Sequence, residues 1–285
     1  MTFLFHVFLL AAGLMGLWAA PRQAPPTLSA RFDLDRRVHR FDLPGRLREV
    51  SGLAFDDQGR LLAHGDEQGV VYRVDPGTGD VDRGFQVGER PIADDFEGMA
   101  LVGPRLFLVS SKGVLYETRL VAEGGWAPVR VTDSGVGAGC EVEGLAYHAS
   151  IDALLLACKT LTPQAPEVRI HRLPLSPDAP PLPPLRIPWR AFAPWDHGGE
   201  VNPSGMDVDP ATGMLVLVAA RQELIFQVDA AGALLDVVRL RGRRHPQVEG
   251  IAFGPDGLLW LGDEGGNGDG RVTAYGPHRP TGGPP

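Results

Sequence analysis

Short apolar runs punctuated by turn residues recur along most of the chain. In the first full period the runs are residues 52–55, 61–63, 70–74 and 85–87. The breaks between them are Asp56-Asp57-Gln58-Gly59, Asp66-Glu67-Gln68-Gly69 and Asp75-Pro76-Gly77-Thr78-Gly79. Gly supplies positive φ in such breaks and Asp bonds its own backbone, so each reads as a tight turn. Apolar runs this short suit strands buried on both faces. A helix would need about ten residues or more at a 3.6 period, and no such run occurs beyond the N-terminal segment. The pattern therefore predicts four strands per period.

The period is marked by a tripeptide that opens a hydrophobic run each time: Ser51-Gly52-Leu53, Glu97-Gly98-Met99, Glu143-Gly144-Leu145, Ser204-Gly205-Met206 and Glu249-Gly250-Ile251. Spacings between the first residues are 46, 46, 61 and 45. Such a period matches one four-stranded propeller blade. The long interval contains a Pro-rich insertion at 174–188. The expected fold is all-β, a five-bladed β-propeller of four-stranded antiparallel blades. The last repeat runs into Gly and Pro after its third strand, while residues 38–43 precede Glu49 much as residues 237–240 precede Gln247. The N-terminal strand is expected to complete the last blade, closing the ring and removing two exposed sheet edges.

Length and charge narrow the function classes. The chain has 285 residues and a net charge of −8. With few Lys, this excludes the clustered positive charge that nucleic-acid and anionic-membrane surfaces require. The one basic run, residues 239–245, reads as a solvated edge strand and loop. Residues 1–20, apolar from Thr2 onward apart from His6, read as a signal peptide or an N-terminal membrane anchor. The flanks leave both open: no Lys or Arg precedes the run, and Pro21 directly follows Ala20. A Pro-rich linker is expected at 21–30, the propeller at 31–276 and a flexible tail at 277–285. The expectation is a monomer exported to the periplasm or cell envelope and held to the membrane by residues 2–20.

Cys140 and Cys158 flank the first hairpin of the third repeat, and antiparallel register can set them opposite one another. Outside the cytoplasm they are expected to form a disulfide, which at this loop size contributes roughly 3 kcal/mol on the chain-entropy model. Two separately buried thiols remain the alternative.

In a propeller the innermost strands line a central channel. Entering these strands are Glu49-Val50-Ser51, Asp95-Phe96-Glu97, Glu141-Val142-Glu143, Asn202-Pro203-Ser204 and Gln247-Val248-Glu249. Positions two apart share a face, which predicts two stacked rings of oxygen-bearing side chains. Asp66-Glu67 and Asp263-Glu264, in the connections between second and third strands, fall at the same end. Converging carboxylates repel one another unless positive charge sits among them. Calcium takes six to eight oxygen ligands in loose geometry and suits such a ring. Zinc is disfavoured because no His or Cys joins it. The candidate ligands are Asp66, Asp95, Glu97, Glu141, Glu143, Glu249, Asp263 and Glu264. The alternative is that each Glu caps backbone amides and solvent fills the channel.

The phrases beginning at Glu49, Asp95, Glu141, Asn202 and Gln247 resemble the SdiA-regulated family of bacterial propeller proteins over roughly residues 48–264. That resemblance implies an exported or membrane-anchored propeller with a calcium site, whose molecular activity the family leaves open. Carried over residue by residue, the family's acidic-Gly positions fall on Glu97, Glu143 and Glu249, and its acids after the second strand on Asp66, Glu67, Asp263 and Glu264. The insertion at 174–188 and the cysteine pair depart from the family pattern.

A ligand- or partner-binding module, for an unidentified small molecule or protein, competes with an enzyme. Calcium-dependent propeller lactonases and phytase-like phosphoesterases also gather carboxylates at a channel mouth, where the cation polarises a carbonyl or phosphoryl oxygen. A lactonase would need a free carboxylate such as Glu143 or Asp263 as general base. A phosphatase would need phosphate holders, for which only Lys112, Lys159 and Arg221 qualify; ion pairing with the acids is their favoured role. Ser51, Ser110, Ser111 and Ser204 have no His at a comparable position, so a Ser-His-Asp arrangement is unsupported. His64, His197 and His245 read as surface or loop residues. Trp189 and Trp195 are expected to pack against a blade edge, with a lid over the channel as the alternative. The binding module is the favoured reading.

Overall fold

The structure, a computed structural model, describes residues 26–278. The expected signal or anchor at 1–20, the linker residues 21–25 and the tail residues 279–285 lie outside the described residues. An N-terminal strand β1 (Phe32–Asp42) precedes blade 1, made of β2 (Val50–Phe55), β3 (Leu61–Gly65), β4 (Val70–Val74) and β5 (Phe85–Val87). Blade 2 is β6 (Phe96–Val102), β7 (Arg105–Ser110) and β8 (Val114–Arg119), followed, after the short β9 (Trp126–Ala127), by β10 (Arg130–Asp133). Blade 3 holds β11 (Cys140–His148), β12 (Ala153–Leu161), β13 (Glu167–Pro174) and β14 (Leu182–Pro188). Blade 4 holds β15 (Gly205–Val208), β16 (Leu215–Ala219), β17 (Leu224–Val228) and β18 (Leu234–Arg239). Blade 5 adds β19 (Val248–Phe253), β20 (Leu259–Asp263) and β21 (Arg271–Pro277), and β1 is its fourth strand.

The chain is thus a five-bladed β-propeller whose first and last strands share a sheet. Antiparallel pairing of Phe41 with Val272 and Asp42 with Arg271 makes the closure. Five hydrophobic layers lie between neighbouring blades, and alternate residues of one strand feed two of them. Leu61 and Ala63 pack with Trp260 and Val272 of blade 5, whereas Leu62 packs with Phe96, Leu106 and Leu108 of blade 2. This explains the unbroken apolar runs: a strand between two layers has no solvent face.

Three details depart from the expected organisation. Blade 1 gains a fifth, parallel strand where β9 pairs β5 through Gln86 and Trp126. Residues 26–30, expected as linker, belong to the propeller. Leu28 is buried in the layer between blades 4 and 5, its N–H donates to Gln227 Oε1 at 2.9 Å, and the Ser29 N–H donates to Asp236 Oδ2 at 2.7 Å. The insertion at 174–188 contributes the whole of β14 and leads into a 3-10 helix, Trp189–Trp195, whose Phe192 sits edge-on to Phe226 with centroids 5.1 Å apart. Trp189 and Trp195 pack against the layer between blades 3 and 4, which is the packing role.

Cys140 and Cys158 are joined by a disulfide with Cα atoms 5.6 Å apart. They are not directly opposite: Cys140 is in register with Leu161 and Cys158 with Val142. A bulge at Lys159 shifts the two strands so that the bridge runs diagonally.

Candidate functional site

Four of the five inner strands enter the ring through a register shift in the same place, blade 4 being the exception. In blade 1 Val50 pairs Gly65 and Gly52 pairs His64, so Ser51 is left over. In blade 2 Phe96 pairs Ser110 and Gly98 pairs Val109, leaving Glu97. In blade 5 Val248 pairs Asp263 and Gly250 pairs Gly262, leaving Glu249. Blade 3 sets Glu143 and Gly144 against Ala157 alone. Blade 4 pairs first at Gly205, one residue after Ser204. A bulge of this kind bends the strand and re-aims one side chain. Repeated around the axis, it turns Glu97, Glu143 and Glu249 toward one mouth, each almost wholly buried, although among the described residues no three acids bring carboxylate oxygens within 4.8 Å of one another.

The repeat Gly of blades 2 to 5 is required by the approach of the next blade, while Gly52 makes room for His64 of its own blade. A Cβ on Gly98 would stand 2.7 Å from the Leu145 backbone nitrogen of blade 3, and one on Gly205 would overlap the Glu249 carbonyl oxygen of blade 5. The axis is consequently almost closed. The cavity lined by Ser51, Gly52, Glu97, Gly98, Gly144 and Glu249 measures about 10 Å³, at the lower limit for one water. A solvent-filled channel, one half of the alternative drawn from the sequence, does not exist at this level.

The other half fails as well. Among the described residues no backbone amide donates to the three carboxyls. Glu97 Oε2 accepts from Ser51 Oγ at 3.2 Å, Glu143 Oε1 from Lys159 Nζ at 2.5 Å, and Glu249 Oε1 from Gln247 Nε2 at 3.5 Å. Gln247 Nε2 also donates to Glu264 Oε2, so one amide bridges the two carboxyls. Burial pushes Glu97 up, with Glu143 and Asp95 adding to it. Burial also raises Glu143 despite Lys159 beside it, and Glu249, where the Glu264 charge adds to the effect. Asp66 and Glu264 are raised by burial and by Glu49 near both.

Most of the acids expected at the mouth converge there. Asp95 and Glu141 stand exposed at its rim, where Glu141 accepts from Thr160 Oγ1 at 2.9 Å and lies 3.8 Å from Lys159 Nζ. Asp263 does not join them. Asp263, the last residue of β20, turns into the blade, while Glu264, just beyond the strand, meets the ring. Its Oδ2 accepts from His245 Nδ1 at 2.8 Å, and His245 Nε2 lies 2.6 Å from the Tyr275 hydroxyl. All three are buried, and burial pushes the Tyr275 hydroxyl up to about 12. Of the three expected cationic partners, Lys159 alone ion-pairs with the ring among the described residues.

Two His expectations are corrected. His245 is in a loop but buried. His64 lies inside β3 with no exposed surface, because it folds over Gly52, its partner in register. Its Nδ1 donates to the Gly65 carbonyl at 2.9 Å, and burial lowers it to about 4. The sequence gives a signal for this that scanning for motifs misses: paired with the repeat Gly, blades 2 to 5 carry Val109, Ala157, Val218 and Gly262. Also missed were Ser51 and Gln247 as hydrogen-bond donors to the acids. Ser204, at the matching place in blade 4, gives its hydroxyl to the Val248 carbonyl at 2.7 Å and leaves that side of the ring without an acid. Outward from Asp66, a pocket of about 210 Å³ is lined by Arg46, Arg48, Glu49, Glu67 and Tyr72.

Fold and site together define a five-bladed propeller with an acidic, nearly closed axis. Comparison with solved structures agrees on the fold. A glutaminyl cyclase from Myxococcus xanthus is similar with a TM-score of 0.57 at 14% identity, over 86% of this chain and 97% of that one. The PQQ-bound aldose sugar dehydrogenase from Streptomyces coelicolor gives 0.53 at 15%, over 90% and 100%. A luciferin-regenerating enzyme gives 0.53 at 12%, over 84% and 95%. No protein-family model matches the chain, and no curated protein matches it.

Proposed function

We propose that the protein is a binding module of the cell envelope whose acidic mouth takes a calcium-like divalent cation, with the adjoining pocket receiving a small molecule or a partner's side chain. The reading rests on one observation: Glu97, Glu143 and Glu249 are buried around a single axis, and among the described residues the only ammonium paired with any of them is Lys159, on Glu143. Carboxyls held in this way are desolvated and mutually repelling, and a hard cation relieves both costs. The donor set fits such an ion. Glu97, Glu143, Glu249, Glu264 and the Ser51 hydroxyl are all oxygen donors, and no sulfur or imidazole stands among them. Ser51 and Gln247 would orient carboxyl oxygens, and Lys159 balances charge when the ion is absent. The apolar stretch at 2–20 and the resemblance to the SdiA-regulated family favour an exported, membrane-held location.

Calorimetric titration of the protein with calcium is expected to show one site. Glu97→Gln should weaken it about tenfold or more, which is about 1.4 kcal/mol. Lys159→Met should tighten it, because the internal competitor is gone. Absence of binding in both the native protein and Lys159→Met refutes the cation site. Turnover of lactone or phosphoester panels that disappears on chelation would instead establish a hydrolase.

A further inference from the structure

A second cluster of reactive groups lies between blades 2 and 3, apart from the acids. Both sulfurs of Cys140 and Cys158 and one ring nitrogen of His171 lie within 4.8 Å of one another. The cysteines are buried in a layer with Phe107, Val109, Leu145 and Leu156. His171 pairs in register with Leu156, two residues from Cys158 along β12, so it shares the face that carries the sulfur. It is half-buried, and its Nε2 is enclosed with no hydrogen-bond partner among the described residues. A buried ring nitrogen left unpaired is unfavourable. A disulfide cannot relieve it, since bonded sulfurs have no proton to donate.

We propose that reduction of the Cys140–Cys158 bond opens a site in which Cys140, Cys158 and His171 bind a thiophilic divalent ion of the zinc class. Two thiolates and a neutral imidazole are the donors such an ion prefers. Bonds of about 2.3 Å to sulfur and 2.0 Å to nitrogen place tetrahedral ligands roughly 3.5 Å apart, a spacing that the two sulfurs, bonded in the oxidised protein, reach by separating after reduction. The half-exposed edge of His171 supplies the entry path. With a phosphine as reductant, the sulfur–sulfur bond breaks and phosphorus is oxidised to the phosphine oxide by the oxygen of one water. The two protons of that water go to the sulfurs. Ion binding then releases both thiol protons to solvent while His171 coordinates as a neutral base. The oxygen-rich mouth and this site select different ions, so neither depends on the other.

The test is cobalt(II) added to the full-length protein, oxidised or reduced by phosphine and desalted without air. The expected result is one equivalent taken up only after reduction, with thiolate-to-cobalt charge-transfer absorption in the near ultraviolet that zinc abolishes by displacement. His171→Leu keeps both cysteines, and once reduced it should bind cobalt at least tenfold more weakly. In its oxidised form it should melt no lower than the native protein. Cys158→Ser should show no charge-transfer band. The proposal is overturned by absence of the band in reduced protein, whether that protein stays folded by near-ultraviolet circular dichroism or not. Equal affinity in reduced His171→Leu, or a band that survives Cys158→Ser, overturns it too.

Discussion

At the scale of single residues, the acids of the mouth and His64 act on stability with opposite signs. Glu97, Glu143, Glu249, Glu264 and Asp66 have folded-state values raised above their unfolded ones. Their favourable share is complete below the ordinary carboxylate range and is lost as pH rises through the raised values. His64 is lowered from 6.5 to about 4, so its share is present above pH 6.5 and is lost as pH falls toward 4. Several carboxyls outweigh one imidazole, and the calcium-free protein should melt at progressively lower temperature from about pH 6 to pH 9. Saturating calcium should flatten that slope, and Glu97→Gln should reduce it. A calcium-free melting temperature that climbs through this range would contradict the burial of the acids. Mutual repulsion of the acids was legible in the repeat, but their burial, the largest cause of the shifts, was not, because it depends on how closely the blades approach.

At the scale of elements, the bulge and the glycine behind it form one device. The bulge aims a side chain along the axis, and the glycine lets the neighbouring backbone come within contact distance. Gly98→Ala puts a methyl 2.7 Å from a backbone nitrogen that is fixed in β11. Such overpacking typically costs about 1–3 kcal/mol, and denaturant titration should show a loss of that size. The structure explains the conflict between expectation and outcome at Asp263 in the same terms. Repeat position alone assigns it to the mouth, yet Glu264, just beyond the strand, takes that place and Asp263 turns toward His245 and Tyr275. The bridge between Cys140 and Cys158 shows the other side of this dependence. The residue spacing was enough to suggest the pair, while its diagonal geometry comes from the extra residue Lys159. That same bulge carries the ammonium of Lys159, which reaches Glu143.

At the scale of the whole molecule, closure of the ring decides whether the five entry points can share an axis. β1 seals blade 5 against β21, and the residues at its two ends reach into the core: Phe32 packs between blades 4 and 5, Leu43 between blades 5 and 1. Phe32 and Leu43 are buried on closure, each worth roughly 2–3 kcal/mol, so deletion through Leu43 should lower the melting temperature by about 10 °C or more. It should also abolish calcium binding, since Glu249 and Glu264 stand on the blade that would be left open. An unchanged transition would mean that the ring holds without its seal. The helical turn Leu28–Arg31 extends the same seal: Arg31 ion-pairs with Asp209 of blade 4. Asp209 lies in the turn that follows β15, at the end of the blade away from the acids.

The sequence by itself determined the repeat, the number of blades, the borrowed N-terminal strand and the end of the ring at which acids collect. Those features are written in local periodicity: a turn residue or an apolar run has its effect within a few positions, and a recurring tripeptide counts the blades directly. Which acids face inward, how dry their surroundings are, and that His64, His171 and His245 are drawn into the interior were decided only in the tertiary structure. The histidines depend on strand pairing within a blade, as His245 reaches Asp263 and Tyr275 across 18 and 30 residues, and the acids on contacts between blades about forty residues or more apart in the chain. At that distance a one-residue bulge, invisible in the pattern of hydrophobic positions, chooses which side chain reaches the axis.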